Sequence, residues 1–280
     1  MTTPDATTPD VRRHAPLEQP RATQVRRAAI PLVLTLLLLT GLMLGIGELL
    51  THHAGAVGRL DVRIERSLAA HRSGTLNTAT KYGTYLAETV PVIVLAVLAV
   101  AVAVIRTRRW RPPLTIALAV IGEKVVYLIV GTVVMRQRPP VPRLGAADPS
   151  ASFPSGHTGS AVTLYSSIAL VLLASRARPV WRAIAVVLAV LAPIVVAFCR
   201  MDRGFHHLTD VVAGGVIGLV WLLVVNWAVL RPYRDRVRRD AVAADWLHAE
   251  HGSRADDAAP ETGHAAAPDP GAGGRGHARA

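Results

Sequence analysis

The sequence predicts an all-α membrane protein, a bundle of six transmembrane helices with its active site at the outer membrane face. Of the 280 residues, 51% are hydrophobic and only 5% aromatic. The apolar residues gather into runs too long for the helices of a soluble domain, and basic residues collect between those runs in an alternating pattern.

In order, the runs are Ala28 to Leu50, Tyr85 to Ile105, Pro113 to Met135, His157 to Ala174, Val180 to Cys199 and Leu208 to Leu230. Each approaches the roughly 20 residues that cross a bilayer as a helix. Arg26 and Arg27 before the first run, with Ala54-Gly55-Ala56 after it, imitate a signal peptide and its cleavage site. The apolar stretch is longer than a cleavable one, so the segment is expected to be retained. From Val57 to Ala70, apolar Val57, Leu60, Val62, Ile64 and Leu68 alternate with charges, which suits a short helix lying on the membrane surface.

A net charge of +12 raises the question of nucleic acid, but the basic residues track topology instead. Arg12, Arg13, Arg21, Arg26 and Arg27 precede the first span. Arg106, Arg108, Arg109 and Arg111 fill the second connection, Arg176, Arg178 and Arg182 the fourth, and Arg231, Arg234, Arg236, Arg238 and Arg239 follow the last. The positive-inside rule makes these regions cytoplasmic, with both termini inside, and no nucleic-acid partner is expected. The connections 51–88, 136–155 and 200–207 then lie outside. Arg59, Arg63, Arg66, Arg72 and Lys81 in the first of these run against the rule.

Three domains follow: a disordered cytoplasmic N-terminus at 1–27, a six-span domain at 28–230, and a basic, then disordered, cytoplasmic tail at 231–280. The Thr- and Pro-rich start and the tail beyond about Ala241 lack the apolar content to order themselves. His248, His251, His264 and His277 in the tail lack regular metal-ligand spacing, and the single cysteine, Cys199, excludes an internal disulfide and a cysteine-rich metal site. There is no internal repeat and no glycine-rich nucleotide loop.

Three short strings on the outer side carry chemistry: Arg138-Pro139; Pro154-Ser155-Gly156-His157; and Arg200 followed by His206 and Asp210. His206 and Asp210, four residues apart, share a helix face, so the carboxylate can hold one ring nitrogen and leave the other as a nucleophile. Arg200 and Arg138 sit at span ends, where a planar fork grips a phosphoryl group. The Ser155-Gly156-His157 string opens a span, where free backbone N–H groups favour an anion. Ser155 would donate its hydroxyl, Gly156 would let the backbone approach, and His157 would protonate the departing oxygen. Fixed donors around the equatorial oxygens are most of what phosphoryl transfer requires. His207 also precedes Asp210, but spacing from Arg200 favours His206, and His207 is read as interfacial. Glu123 and Lys124, inside the third span, are either a proton-relay pair or an ion pair for packing, with Glu123 bonded to Tyr127 as another packing option. Gly214, Gly215 and Gly218 are expected to permit close helix contact.

These strings resemble the three signature motifs of the type 2 phosphatidic acid phosphatase family, which shares its site with vanadium haloperoxidases. The resemblance runs from about Val57 to Leu230. It implies a phosphohistidine formed on His206, Asp210 as its orienting partner, His157 as general acid, and phosphate binding by Arg138, Arg200, Ser155 and Gly156. It implies no metal and no cofactor. Two positions depart from the pattern. Gly131 stands where the family has a lysine, seven residues before Arg138, and Cys199 stands where a serine is common. Lys124 lies about 10 Å deeper than Gly131 at 1.5 Å per residue, too far to substitute, so Arg136 is the expected replacement. The resulting expectation is a metal-independent membrane phosphatase acting on a lipid phosphate or pyrophosphate among the membrane lipids of the outer leaflet. The alternatives are a catalytically impaired lipid-binding or transport protein on the same fold, and a vanadate-dependent oxidase.

Overall fold

The computed structural model describes residues 22–146, 150–239 and 242. The N-terminal 21 residues and the tail histidines lie outside the described residues. Eight α-helices follow one another among those described: α1 (Ala22–His52), α2 (Gly55–Ala70), α3 (Gly74–Thr84), α4 (Thr89–Thr107), α5 (Arg111–Val134), α6 (Gly156–Leu173), α7 (Pro179–Asp202) and α8 (Leu208–Val225). Six of them, α1 and α4 to α8, are long and apolar enough to cross a membrane. The protein is therefore an integral, multi-pass membrane protein of six spans, as its apolar runs predict.

Boundaries differ where local chemistry overrides hydropathy. The first helix starts at Ala22, six residues before the apolar run. The second span starts at Thr89, because Tyr85–Ala87 form a 3₁₀ turn instead. Pro112 and Pro113 open α5, where a missing N–H costs nothing. At the far end of α5, Met135 takes a left-handed conformation (φ 50°) and turns the chain into a long loop. The last span does not stop at Leu230: after a π turn at Asn226–Leu230 the helix continues to Arg239.

The most enclosed span is α6, which packs against α5, α7 and α8. Two apolar layers flank it. Leu39 and Met43 of α1, Val126 and Val130 of α5, and Ile217 and Trp221 of α8 form one. Val92 of α4, Leu164 of α6 and Val196 of α7 belong to the other. Two buried polar groups of the spans are bonded within the bundle: the Trp221 indole donates to the Leu118 carbonyl at 2.8 Å, and the Thr163 hydroxyl to the Gly159 carbonyl at 3.0 Å. Close approach of α8 to the start of α6 rests on Gly214, where a Cβ would lie 2.2 Å from the Ser155 carbonyl oxygen. Gly218 packs in the same way, whereas at Gly215 a Cβ would make only an ordinary contact, 3.9 Å from the Thr158 methyl.

Helices α2 and α3, the loop residues 135–146 and 150–155 and the turn between α7 and α8 all sit at one end of the bundle. Backbone bonds tie them together: Leu144 N–H to the Arg203 carbonyl, Ser152 N–H to the Arg136 carbonyl, and Ser155 N–H to the Asp210 carbonyl, at 3.0, 2.9 and 3.0 Å. Arg72, between α2 and α3, adds side-chain bonds to the carbonyls of Asp202 and Pro142, each at 2.7 Å. Residues distant in sequence thus converge at one end.

Candidate active site

The start of α6 sets the level of the site. Ser155 caps the helix, taking the Thr158 N–H at 3.5 Å and sharing a 3.1 Å bond with the Thr158 hydroxyl. Instead of stopping level with the end of α5, the loop folds back into the bundle. Gly156 packs on the Tyr127 ring, where a Cβ would lie 2.9 Å away, and Phe153 is fully buried. The helix N-terminus, with its unsatisfied N–H groups, is therefore sunk about two turns below Met135.

Around it stand the groups anticipated from the sequence. Arg200, in the last turn of α7, is buried, with its guanidinium 4.2 Å from the centre of the Phe205 ring. Arg138 lies 5.5 Å from the same ring and donates to the Phe205 carbonyl at 2.6 Å and to the Ser150 hydroxyl at 2.9 Å. Phe205 is thus a shared platform for both cations, a role that its aromatic character and its place before His206 left unmarked. His157 places Nε2 3.5 Å from the Glu88 carboxylate at the start of α4. Glu88 was not singled out from the sequence, since it belongs to no motif.

His206 is buried, and its Nδ1–H donates to the Ser152 carbonyl at 2.7 Å. A carbonyl can only accept, so Nδ1 carries the proton and Nε2 keeps its lone pair. Burial pushes the pKa of His206 well below the ordinary histidine value, and the charges of Arg200 and Arg138 push it further, against the Ser152 bond. At neutral pH the imidazole is neutral, as a nucleophile must be.

The expected direct bond from Asp210 to His206 is corrected: the carboxylate lies 3.9 Å from Nδ1. Asp210 instead accepts from the Ser152 hydroxyl at 2.5 Å, from the His207 N–H at 2.8 Å and from Arg136 at 2.5 Å. Ser152 stands between the two, its hydroxyl on Asp210 and its carbonyl on the imidazole. The i, i+4 spacing predicts a shared helix face, but His206 precedes the first turn of α8 and has no helical direction to share.

Arg136 is corrected as well. Its guanidinium is buried between two carboxylates, Asp61 at 3.0 Å and Asp210 at 2.5 Å, with Thr209 at 2.7 Å, so its donors are engaged within the protein. Lys124, set aside as too deep, puts Nζ 3.2 Å from the Gly156 carbonyl and 4.9 Å from the Tyr127 ring centre. Because the loop re-enters, the start of α6 comes down to the level of Lys124. Glu123 is buried beside it, 3.1 Å from the Ser160 hydroxyl and 3.9 Å from Lys124 Nζ. Of the packing options, the ion pair is the one formed. His207, expected at the interface, is also buried, bonded through Nδ1 to Glu65 at 2.5 Å.

A cavity of about 460 Å³ opens along the loop, with Met135, Arg136, Arg138, Arg143 and Ser150 among its walls. Neither His157 nor His206 lines it, so it adjoins the cluster and does not contain it. Among the described residues no three His, Cys, Asp or Glu side chains come together as a metal cradle. The positive charge offered to an anion here comes from arginine, lysine and backbone N–H groups.

A family model described as PAP2 superfamily matches residues 92–234. Among solved structures, a transmembrane PAP2-type phosphatidylglycerolphosphate phosphatase from Bacillus subtilis is similar, with 24% identity and a TM-score of 0.57, over 70% of this chain and 93% of that one. LpxE from Aquifex aeolicus is similar at 24% identity with a TM-score of 0.47, over 59% of this chain and 94% of that one. No curated protein matches.

Proposed function

The chain belongs to the PAP2 superfamily, and on that premise we propose that it is a membrane phosphatase that removes phosphate from a lipid phosphate or pyrophosphate through a phosphohistidine, without a metal. The observation that carries this reading is the state of His206: buried, held at Nδ1 by Ser152, and kept neutral by burial and by two arginines that also suit a phosphoryl group. A structural histidine has no need of flanking cations that oppose its protonation.

In this reading Nε2 of His206 attacks phosphorus, the bond to the lipid oxygen breaks, and His157 gives that oxygen a proton. Arg138, Arg200 and the N–H groups at the start of α6 hold the equatorial oxygens as charge develops. His157, now neutral, takes a proton from the water that attacks the phosphohistidine, which releases phosphate and restores both imidazoles. Glu88, whose carboxylate lies 3.5 Å from His157 Nε2, orients that ring at the mouth of the site.

The loops bearing the site carry less topological charge than the Arg-rich connections at the opposite end, which supports an extracytoplasmic site with both termini cytoplasmic. Substrates would then be lipids of the outer leaflet, with phosphatidate, phosphatidylglycerol phosphate and polyprenyl pyrophosphate as the classes to test. The deciding experiment offers these three to the detergent-solubilised protein and measures phosphate release. Turnover of at least one, abolished by His206→Ala, is the expected result; release unchanged in that variant would move the nucleophile elsewhere.

A further inference from the structure

Helix α2 turns inward the residues that a simple surface anchor would turn outward. Val57 and Leu60 are 46% and 47% exposed, whereas Asp61 and Glu65, one turn apart, are 1% and 0% exposed. Burying a carboxylate is costly unless it is fully paired, and apolar residues were available on the same helix. Anchoring alone therefore does not account for this orientation.

What the two carboxylates hold is specific. Asp61 accepts from Arg136 at 3.0 Å, from the Thr209 hydroxyl at 2.6 Å and from the Thr209 N–H at 3.1 Å, filling one of the open N–H groups at the start of α8. Arg136 reaches from Asp61 across to Asp210. Glu65 takes Nδ1 of His207 at 2.5 Å, while Nε2 of the same ring lies 3.1 Å from the Gln137 carbonyl. Two acceptors require two N–H groups, so His207 is an imidazolium. The groups facing it are Glu65 from α2, Asp210 from α8, and Arg136 with the Gln137 carbonyl from the loop. Burial alone would lower its pKa, but Glu65 and Asp210 outweigh burial and raise it. Helix α2 lies outside the matched residues 92–234, so family membership assigns it no part in the site.

We propose that Asp61 and Glu65 are positioning residues, fixing Arg136, Thr209 and His207 around Asp210 and thereby aiming His206 through Ser152. The inference rests on the phosphatase reading for its purpose, and its logic is geometric. Asp210, Ser152 and His206 form one line of contacts, and Asp61 and Glu65 brace the residues on the far side of Asp210. A nucleophile misplaced by about 1 Å loses about 100-fold in rate without losing its substrate.

The test uses full-length protein in detergent, with Asp61→Asn and Glu65→Gln, which keep side-chain shape. Inorganic phosphate probes the anion site, and orthovanadate, which adopts the five-coordinate geometry of the transition state, probes the aim of the nucleophile. Asp61→Asn should keep phosphate affinity within about twofold of wild type and weaken orthovanadate about 10-fold or more, with a matching fall in kcat at unchanged KM. In Glu65→Gln, His207 surrenders its proton at lower pH, so the alkaline decline in orthovanadate affinity should begin at lower pH than in wild type. Orthovanadate affinity unchanged in Asp61→Asn, or phosphate and orthovanadate lost together, overturns the proposal. If Asp61→Asn does not fold, an unshifted alkaline limb in Glu65→Gln overturns it instead. A wild-type protein that binds orthovanadate but hydrolyses no phosphate ester would sink the phosphatase reading, while the two affinities would still decide the positioning role.

Discussion

His206 gives its Nδ1 proton to the backbone carbonyl of Ser152 at 2.7 Å, and the hydroxyl of that same serine is bonded to Asp210 at 2.5 Å. One residue therefore transmits the carboxylate's hold to the imidazole through a carbonyl whose position is itself fixed, since the Ser152 N–H is bonded to the Arg136 carbonyl at 2.9 Å.

Removing the hydroxyl alone should loosen this arrangement without changing the acceptor that His206 sees. Ser152→Ala is expected to lower kcat by about 10-fold, the worth of one buried hydrogen bond to a charged group, with KM little changed. Steady-state kinetics on a lipid phosphate checks it. A variant with wild-type kcat would show that Asp210 acts by another route.

The pH dependence follows from the lowered pKa of His206. As the nucleophile stays neutral in the folded protein well below the ordinary value of about 6.5, kcat/KM should not fall as pH drops through that value. Arg138→Gln removes one of the charges that depress the pKa, so its acid limb should move to higher pH. Stability has the opposite exposure: the unfolded chain takes up this proton first, so the contribution is intact above about 6.5 and is lost as pH falls from there towards the folded pKa. A pH series of thermal melts, run beside the rate profile, tests both signs.

Arg136 and Lys124 should now behave differently. Arg136→Ala strands Asp61 and Asp210 as buried, partly unpaired charges and is expected to cost about 3–5 kcal/mol of stability. Lys124→Met keeps the apolar stem and should lower kcat/KM by about 10- to 100-fold, with a fall in melting temperature smaller than that of Arg136→Ala, since buried Glu123 loses its ammonium neighbour but keeps the Ser160 hydroxyl. At Gly131 a Cβ would meet nothing nearer than the Phe153 carbonyl oxygen at 3.8 Å, so Gly131→Lys should fold and recover part of the Lys124→Met loss. No recovery in the double variant would separate position 131 from the anion site.

The side of the membrane is testable by labelling in a Cys199→Ser background. A cysteine at exposed Ala146 should react with an impermeant thiol reagent on intact cells, and one at Thr107 should not. The reverse pattern would place the site in the cytoplasm.

Hydrolysis should survive chelation, because arginine, lysine and backbone N–H groups suffice to neutralise the anion. Activity lost in EDTA and restored by Mg²⁺ would overturn this part of the reading.

From the sequence alone the class, the number of spans and the family of the site were legible, because bilayer thickness fixes helix length and three short motifs carry distinctive residue types. The partners of those residues were not. Spacing along the chain implied a direct Asp210 to His206 bond, an Arg136 in place of the missing lysine and a Lys124 out of reach. Each expectation assumed that span ends lie level and that helix direction begins at the motif. The re-entry of the chain before Gly156 removes the first assumption by lowering the start of α6 to Tyr127 and Lys124. The start of α8 at Leu208 removes the second. Helix α2 shows the same division: its alternation was visible as a surface helix, but which face it buries depended on carboxylate partners 75 to 148 residues away. Local periodicity and hydropathy determine what must be helical and what must meet lipid; only the folded loops decide which buried charges find each other, because that pairing is settled by distance in space and not along the chain.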